Sequence, residues 1–328
     1  MKRAWAVLLA TLVVVLPARL YAAFRLVDDK TGFYSDGNRL AAAAAAVALL
    51  GIVLVMAFGR RKEPKYQRPP LRSVSAAVFA ALSGIFIAGE SLVGLIGGDG
   101  FVAMNILLAL LGVCAAAAML TAAYGFASGE AVLRRHPLVA LFAPLWGCLC
   151  MISLFISYGA PVNRFDNVYH TFTVALLLLF LFSQAKLLSG VDEDGGAKMV
   201  FSYGFAAAVA ALTDSVPNLA LLFAGRKTLG TFPVGLYLSN LFLAVYILVF
   251  LAAEGRRRTP LPMVAITPEF AGGDEPANAE KPKDGGAAEA ASDPFPLYLE
   301  FLQKNYRGEN KFVENAKHEM SSSASVKS

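Results

Sequence analysis

Glu90 and Asp214 are the residues in this sequence best placed to do chemistry, because each puts a carboxylate into a long apolar run. An ionisable group inside a membrane span is costly, so it marks an ion or proton path, a ligand site or a buried counter-charge. Asn105 and Asn240 are uncharged polar companions in other apolar runs, and Asn218 follows Asp214 by one helical turn. The stretch Thr213-Asp214-Ser215-Val216-Pro217-Asn218 also brings two hydroxyls and a proline to the acid. Pro217 has no N–H for the Thr213 carbonyl, so a kink is expected there, freeing an oxygen beside the carboxylate. Oxygen-rich broken helices of this kind hold cations in transporters. Interhelical hydrogen bonds that simply hold a bundle together are the competing role.

A second set of polar residues lies between apolar runs. Asp29 and Tyr34 belong to a polar stretch over 28–38, and Arg164, Asp166 and His170 to another over 158–171. Both stretches are rich in Asp and Asn beside Gly, which favours capped turns. The sharper alternative is a recognition or lid surface on the outer face. His136 and His170 have no partner at metal-ligand spacing and read as interfacial residues. No His-Glu-x-x-His pair, Walker loop or nucleotide-binding glycine fingerprint occurs. Gly125-Phe126-Ala127-Ser128-Gly129 has the wrong spacing for a nucleophile elbow. Neither catalysis nor a cofactor nor a metal centre is therefore expected. Cys114, Cys148 and Cys150 lie inside apolar runs and read as small buried residues.

The elements that must position these residues follow from composition. Of 328 residues, 57% are hydrophobic and 16% charged, against about a quarter charged in soluble domains. The charges cluster in short blocks between apolar runs of about 20 residues, the length that crosses a bilayer as a helix. The expected fold is an all-α polytopic bundle with spans near 4–24, 40–59, 74–97, 101–126, 137–157, 168–190, 199–224 and 231–253. At 1.5 Å per residue, Glu90 and Asp214 sit about 10 and 15 Å inside their spans, and Asn240 and Asn105 about 14 and 6 Å. The first span, with Lys2, Arg3 and small residues at Ala22 and Ala23, also resembles a signal peptide. Arg19 and Leu20 argue against cleavage, so a retained helix is expected.

Lys and Arg set the expected orientation. Fifteen lie on the flanks that face inward if the N-terminus is cytoplasmic, and seven on the opposite flanks. That bias of about two to one places both termini in the cytoplasm. The net charge of +5 then serves orientation and anionic lipid, and nucleic acid is not an expected partner.

Residues 256–294 read as a basic, then polar linker, too poor in large apolar residues to order itself. Residues 295–319 hold a short amphipathic segment in which Leu297, Tyr298, Phe301 and Leu302 share one helical face. That face suits the bilayer surface or a protein partner. Residues 320–328 read as a frayed end.

Asp29-Lys30-Thr31-Gly32-Phe33 after the first span, Pro144-Leu145-Trp146 in the fifth and the eight-span layout resemble a loose group of uncharacterised, clostridial-type bacterial membrane proteins. The resemblance covers about residues 1–255 and implies a multi-spanning fold without implying an activity. Three classes are weighed: a sensor, regulator or assembly factor that binds partners; a secondary transporter or channel-like protein using Glu90 and Asp214; and a membrane-embedded enzyme. The first stands slightly ahead because intramembrane charges are few, and the third lacks a nucleophile or metal constellation.

Overall fold

A computed structural model describes residues 2–27, 34–35, 39–59, 70–97, 102–157, 165–226, 228–229 and 234–256. The chain divides into Met1–Pro260 and Leu261–Ser328, and only the first unit contains described residues. The expectations for the linker from 256, the amphipathic segment and the frayed end therefore fall almost wholly outside them.

All regular structure in the described residues is helical: α1 (Lys2–Tyr21), α2 (Arg39–Gly59), α3 (Val74–Gly97), α4 (Val102–Ser128), α5 (Val132–Arg135), α6 (Pro137–Ala140), α7 (Phe142–Ser157), α8 (Phe165–Ser189), α9 (Glu193–Phe223) and α10 (Val234–Arg256). Among the described residues, eight stretches are long and apolar enough to cross a membrane. The fifth consists of α6 and α7 together, interrupted by a turn at Leu141. Pro144 has no N–H to give the Ala140 carbonyl, which accounts for the break.

Local chemistry sets several boundaries. α9 starts at Glu193, earlier than the expected residue 199, because the Asp192 carboxylate caps it by accepting from the Gly195 N–H at 2.8 Å. Gly129 and Gly190 follow α4 and α8 with φ of 79° and 74°, the left-handed turn that ends a helix at little cost for glycine. A five-residue π-helical segment, Ala22–Leu26, continues α1. Val27 then forms an antiparallel bridge with Tyr34, and the Ser35 N–H donates to the Leu26 carbonyl at 2.7 Å. This fold-back brings Tyr34 to the end of α1.

Six spans close into a ring in the order α3, α4, α7, α8, α9, α10 and back to α3, while α1 and α2 pair and pack on α9. α9 is the central element, with 78% of its apolar window buried, the highest share of any span. Ala206, Ala207, Ala208, Ala210 and Ala211 let neighbouring backbones approach it. At its start, a Cβ on Gly59 of α2 would stand 3.1 Å from the Phe201 carbonyl oxygen. Gly84 of α3 packs on Ala116 of α4 and Gly112 of α4 on Ser91 of α3, whereas Gly94 has nothing within 4 Å.

The outward faces are apolar. Val13, Ile85, Leu110 and Phe155 are each more than half exposed, an arrangement that suits lipid as solvent and would drive aggregation in water. Tyr21 and Tyr124 are exposed near opposite ends of the bundle, as aromatic belts require. Tyr169 and Tyr237 are instead buried, Tyr169 under the Arg19 guanidinium and Tyr237 against the His170 ring.

Candidate functional site

The two ends of the bundle are identified here by Asp166, at the start of α8, and Glu254, near the end of α10. One stripe of α8 organises the polar residues at the Asp166 end. Asp166, His170 and Thr173 recur at helical spacing on a buried face, and the stripe continues downward as Leu177, Phe180 and Gln184.

Asp166 anchors the first cluster. Arg19 Nη2 of α1 lies 2.6 Å from Asp166 Oδ1, with side-chain exposures of 0% and 4%. The Tyr34 hydroxyl donates to the Asp166 carboxylate at 3.0–3.1 Å and accepts from Arg19 Nη1 at 3.2 Å. The Arg19 guanidinium also stacks 4.0 Å above the Tyr169 ring, and the Tyr169 hydroxyl donates to the Ala41 carbonyl at 3.2 Å. Four side chains thus tie α1, the segment before α2, α2 itself and α8 together. Burial, and then the Asp166 charge, push the Tyr34 phenol above its ordinary pKa.

One turn further into the bundle, His170 Nδ1 meets Asp214 Oδ2 of α9 at 2.8 Å, both side chains being 1% exposed. A protonated Nδ1 donates to the carboxylate in this geometry. The His170 ring packs edge-on against Tyr237 of α10, with centroids 5.6 Å apart. Two residues along α10, the Ser239 hydroxyl donates to Glu90 of α3. Glu90 also interacts electrostatically with His170. Ionisable groups from α3, α8 and α9 therefore share one layer of the ring, joined through α10. No ion pair or hydrogen bond links Glu90 to Asp214 directly; each acid has its own partner.

The other candidates separate by role. Asn218 Nδ2 donates to the Asp214 carbonyl, and its Oδ1 accepts from the Leu229 N–H, both at 2.8 Å. It fastens the loop after α9 and does not line the layer. The helix runs on through Pro217 to Phe223, and the Thr213 hydroxyl turns back to the Val209 and Ala210 carbonyls at 2.9 Å. Asn240 is 2% exposed and lies one turn below Tyr237. Asn105 is partly exposed. Taking the Ser91–Gly112 contact as the register of α3 against α4, Asn105 lies seven residues, about 10 Å, nearer the Asp166 end. It therefore belongs to a different level from Glu90.

Among the loop candidates, Asp29 and Arg164 lie outside the described residues. Tyr34, Asp166 and His170 are not a loop surface: all three are buried among charged or aromatic partners. The interfacial reading of His170 is corrected by its pairing with Asp214. Arg19 was the residue missed. It lies inside the first span, a position that in lipid requires an acidic partner.

The lower half of the ring is closed by packing. Phe250 contacts Tyr246, Phe180 and Phe126 with ring centroids 5.7–6.3 Å apart. The Gln184 amide donates to Tyr246. Below this layer, at the Glu254 end, Phe126, Glu130, Arg134, Leu187 and Glu254 line a crevice. Ser128, from the glycine-flanked motif, is exposed and donates to the Tyr124 carbonyl at 2.9 Å. No group of three or more His, Cys, Asp or Glu among the described residues is arranged to hold a metal ion.

Eight apolar helices around a buried, charge-paired interior define a multi-pass integral membrane protein. The chain matches no family model, no curated protein and no solved structure in the comparisons made.

Proposed function

We propose that this chain is an ion-coupled secondary transporter whose ion-handling centre is the His170–Asp214 pair, with Glu90 beside it. The observation that carries the reading is that one layer of the ring joins ionisable groups from three spans. Buried charges of this kind are expensive in a bilayer and are kept where an ion or substrate path needs them. The sequence alone favours a partner-binding component because its intramembrane charges are few; the linking histidine shifts the balance. The Lys and Arg bias supports an orientation with both termini in the cytoplasm of a bacterial cell and the Asp166 end outside. The Arg19–Tyr34–Asp166 cluster then forms the outer closure of the layer.

The test is ion flux in proteoliposomes, read as internal pH and as Na⁺ uptake under imposed gradients across a panel of small solutes. Flux above protein-free vesicles is expected, and Asp214→Asn, His170→Gln and Glu90→Gln should each reduce it at least tenfold. Wild-type flux in all three variants would remove the layer from the mechanism. The partner-binding reading would then lead.

A further inference from the structure

Helical serines and threonines in this bundle follow a common habit. Thr11, Ser83, Ser91, Thr121, Ser183 and Thr213 each donate the hydroxyl to the carbonyl one turn earlier, at 2.7–2.9 Å. That back-bond satisfies a hydroxyl with no help from outside its own helix. Thr173 of α8 and Ser215 of α9 depart from it. Both are 0% exposed, and neither hydroxyl has a hydrogen-bond partner. Asp214 Oδ1 and the Asn240 amide nitrogen are also buried without a partner.

These groups converge. Contacts of His170 with Asp214 and with Tyr237 set the register of α8, α9 and α10 at one level. α8 and α10 both run away from the Asp166 end. Thr173 is therefore one turn below His170 on the same face, and Asn240 one turn below Tyr237 on the same face. At that level α9 carries Ala210 and Ala211, whose side chains are only methyl groups. Asp214 Oδ1 reaches the same space from above, and Ser215 adds a second hydroxyl on the adjoining face of α9.

Buried polar atoms are almost always satisfied, so four orphans in one neighbourhood indicate a bound group. Its chemistry follows from the donor set. A carboxylate oxygen, two hydroxyls and an amide whose oxygen can be turned inward are all hard oxygen ligands. The set carries one formal negative charge, on Asp214, beside neutral oxygens, which suits a monovalent cation better than a divalent one. Water would fill the hydrogen bonds and supply no positive charge.

We infer that Asp214, Thr173, Asn240 and Ser215 bind a dehydrated Na⁺ between α8, α9 and α10. This inference deepens the transporter reading, and rests on it only for the role of the ion as driving species. The site is distinct from a transition-metal centre, since most of its ligands are neutral oxygens.

The test is thermal unfolding of the full-length protein in detergent, followed by the fluorescence of Trp5 and Trp146, in NaCl against choline chloride at equal ionic strength. A ligand that binds only the folded state raises Tm saturably with its concentration. A saturable Na⁺-dependent rise is expected in the wild type and in Thr173→Ser. It should be lost in Asp214→Asn, and Thr173→Val should weaken the apparent affinity about tenfold. Equal Tm in Na⁺ and choline would show water in the space and overturn the inference, as would a Na⁺ response unchanged in Asp214→Asn and Thr173→Val. Saturable Na⁺ stabilisation without flux in proteoliposomes sinks the transporter reading alone. Flux in a protein with no Na⁺ response sinks the Na⁺ site alone.

Discussion

Replacing Arg19 by Met should destabilise the bundle by about 3–5 kcal/mol, the usual cost of breaking a buried ion pair from one side. The magnitude follows from geometry. Arg19 and Asp166 are 2.6 Å apart with 0% and 4% exposure, so the surviving carboxylate stays buried with only the Tyr34 hydroxyl to stabilise it. Asp166→Asn leaves the mirror problem, a buried guanidinium against the Tyr169 ring, and should cost a similar amount. The double variant Arg19→Met/Asp166→Leu removes both charges together. Replacing a whole buried pair by apolar groups is often nearly neutral, so the double should be less damaging than either single change. The assay is equilibrium unfolding in mixed micelles followed by tryptophan fluorescence, analysed as a double-mutant cycle. A coupling energy above about 2 kcal/mol is expected, and little dependence on ionic strength, because the pair is shielded from solvent ions. Additive single effects, or singles each below about 1 kcal/mol, would refute the claim that this pair fastens α1 to α8.

Three further outcomes are expected. Gly112→Ala places a Cβ against Ser91 Oγ and 2.6 Å from Ser91 Cβ and should cost about 1–3 kcal/mol through overpacking; Ser91→Gly in the same chain should recover most of it. Because burial and the Asp166 charge raise the Tyr34 pKa, its phenol stabilises the fold fully below the unfolded tyrosine value of about 10 and loses that contribution only as pH passes the higher folded value. Tyr34→Phe should therefore leave the phenolate absorbance gained up to about pH 10 unchanged, and loss of one phenol's signal there would contradict the buried contact. A reporter fused after Arg256 should be active only on the cytoplasmic side; activity on the outer side would invert the proposed orientation.

The spans were legible because apolar length is a one-dimensional property. Residues 74–97 and Val74–Gly97 coincide, as a run flanked by polar residues on both sides leaves little freedom. α9 was less legible, since its first turn is polar and held by the Asp192 cap, which no hydropathy window detects. Glu90, Asp214 and Asn240 were recognisable as costly residues in lipid. Their neighbours were not, because sequence spacing reports which residues share a helix and is silent on which helices touch.

The α8 stripe shows where more could have been read. Asp166, His170, Thr173, Leu177, Phe180 and Gln184 follow helical spacing without a gap, so a single face of one helix turns from charged to apolar and back to polar. A face that carries an acid, an imidazole and a hydroxyl in its first two turns cannot be directed at lipid. That reasoning alone turns His170 inward and demands partners for it and for Asp166. Among the charged residues inside the described spans, the structure pairs Arg19 with Asp166 and Asp214 with His170. Glu90 is held by Ser239 on the far side of the layer. One acid of the layer is thus paired with an imidazole and the other with a hydroxyl, so the two carboxylates meet different chemistry at the same level of the ring.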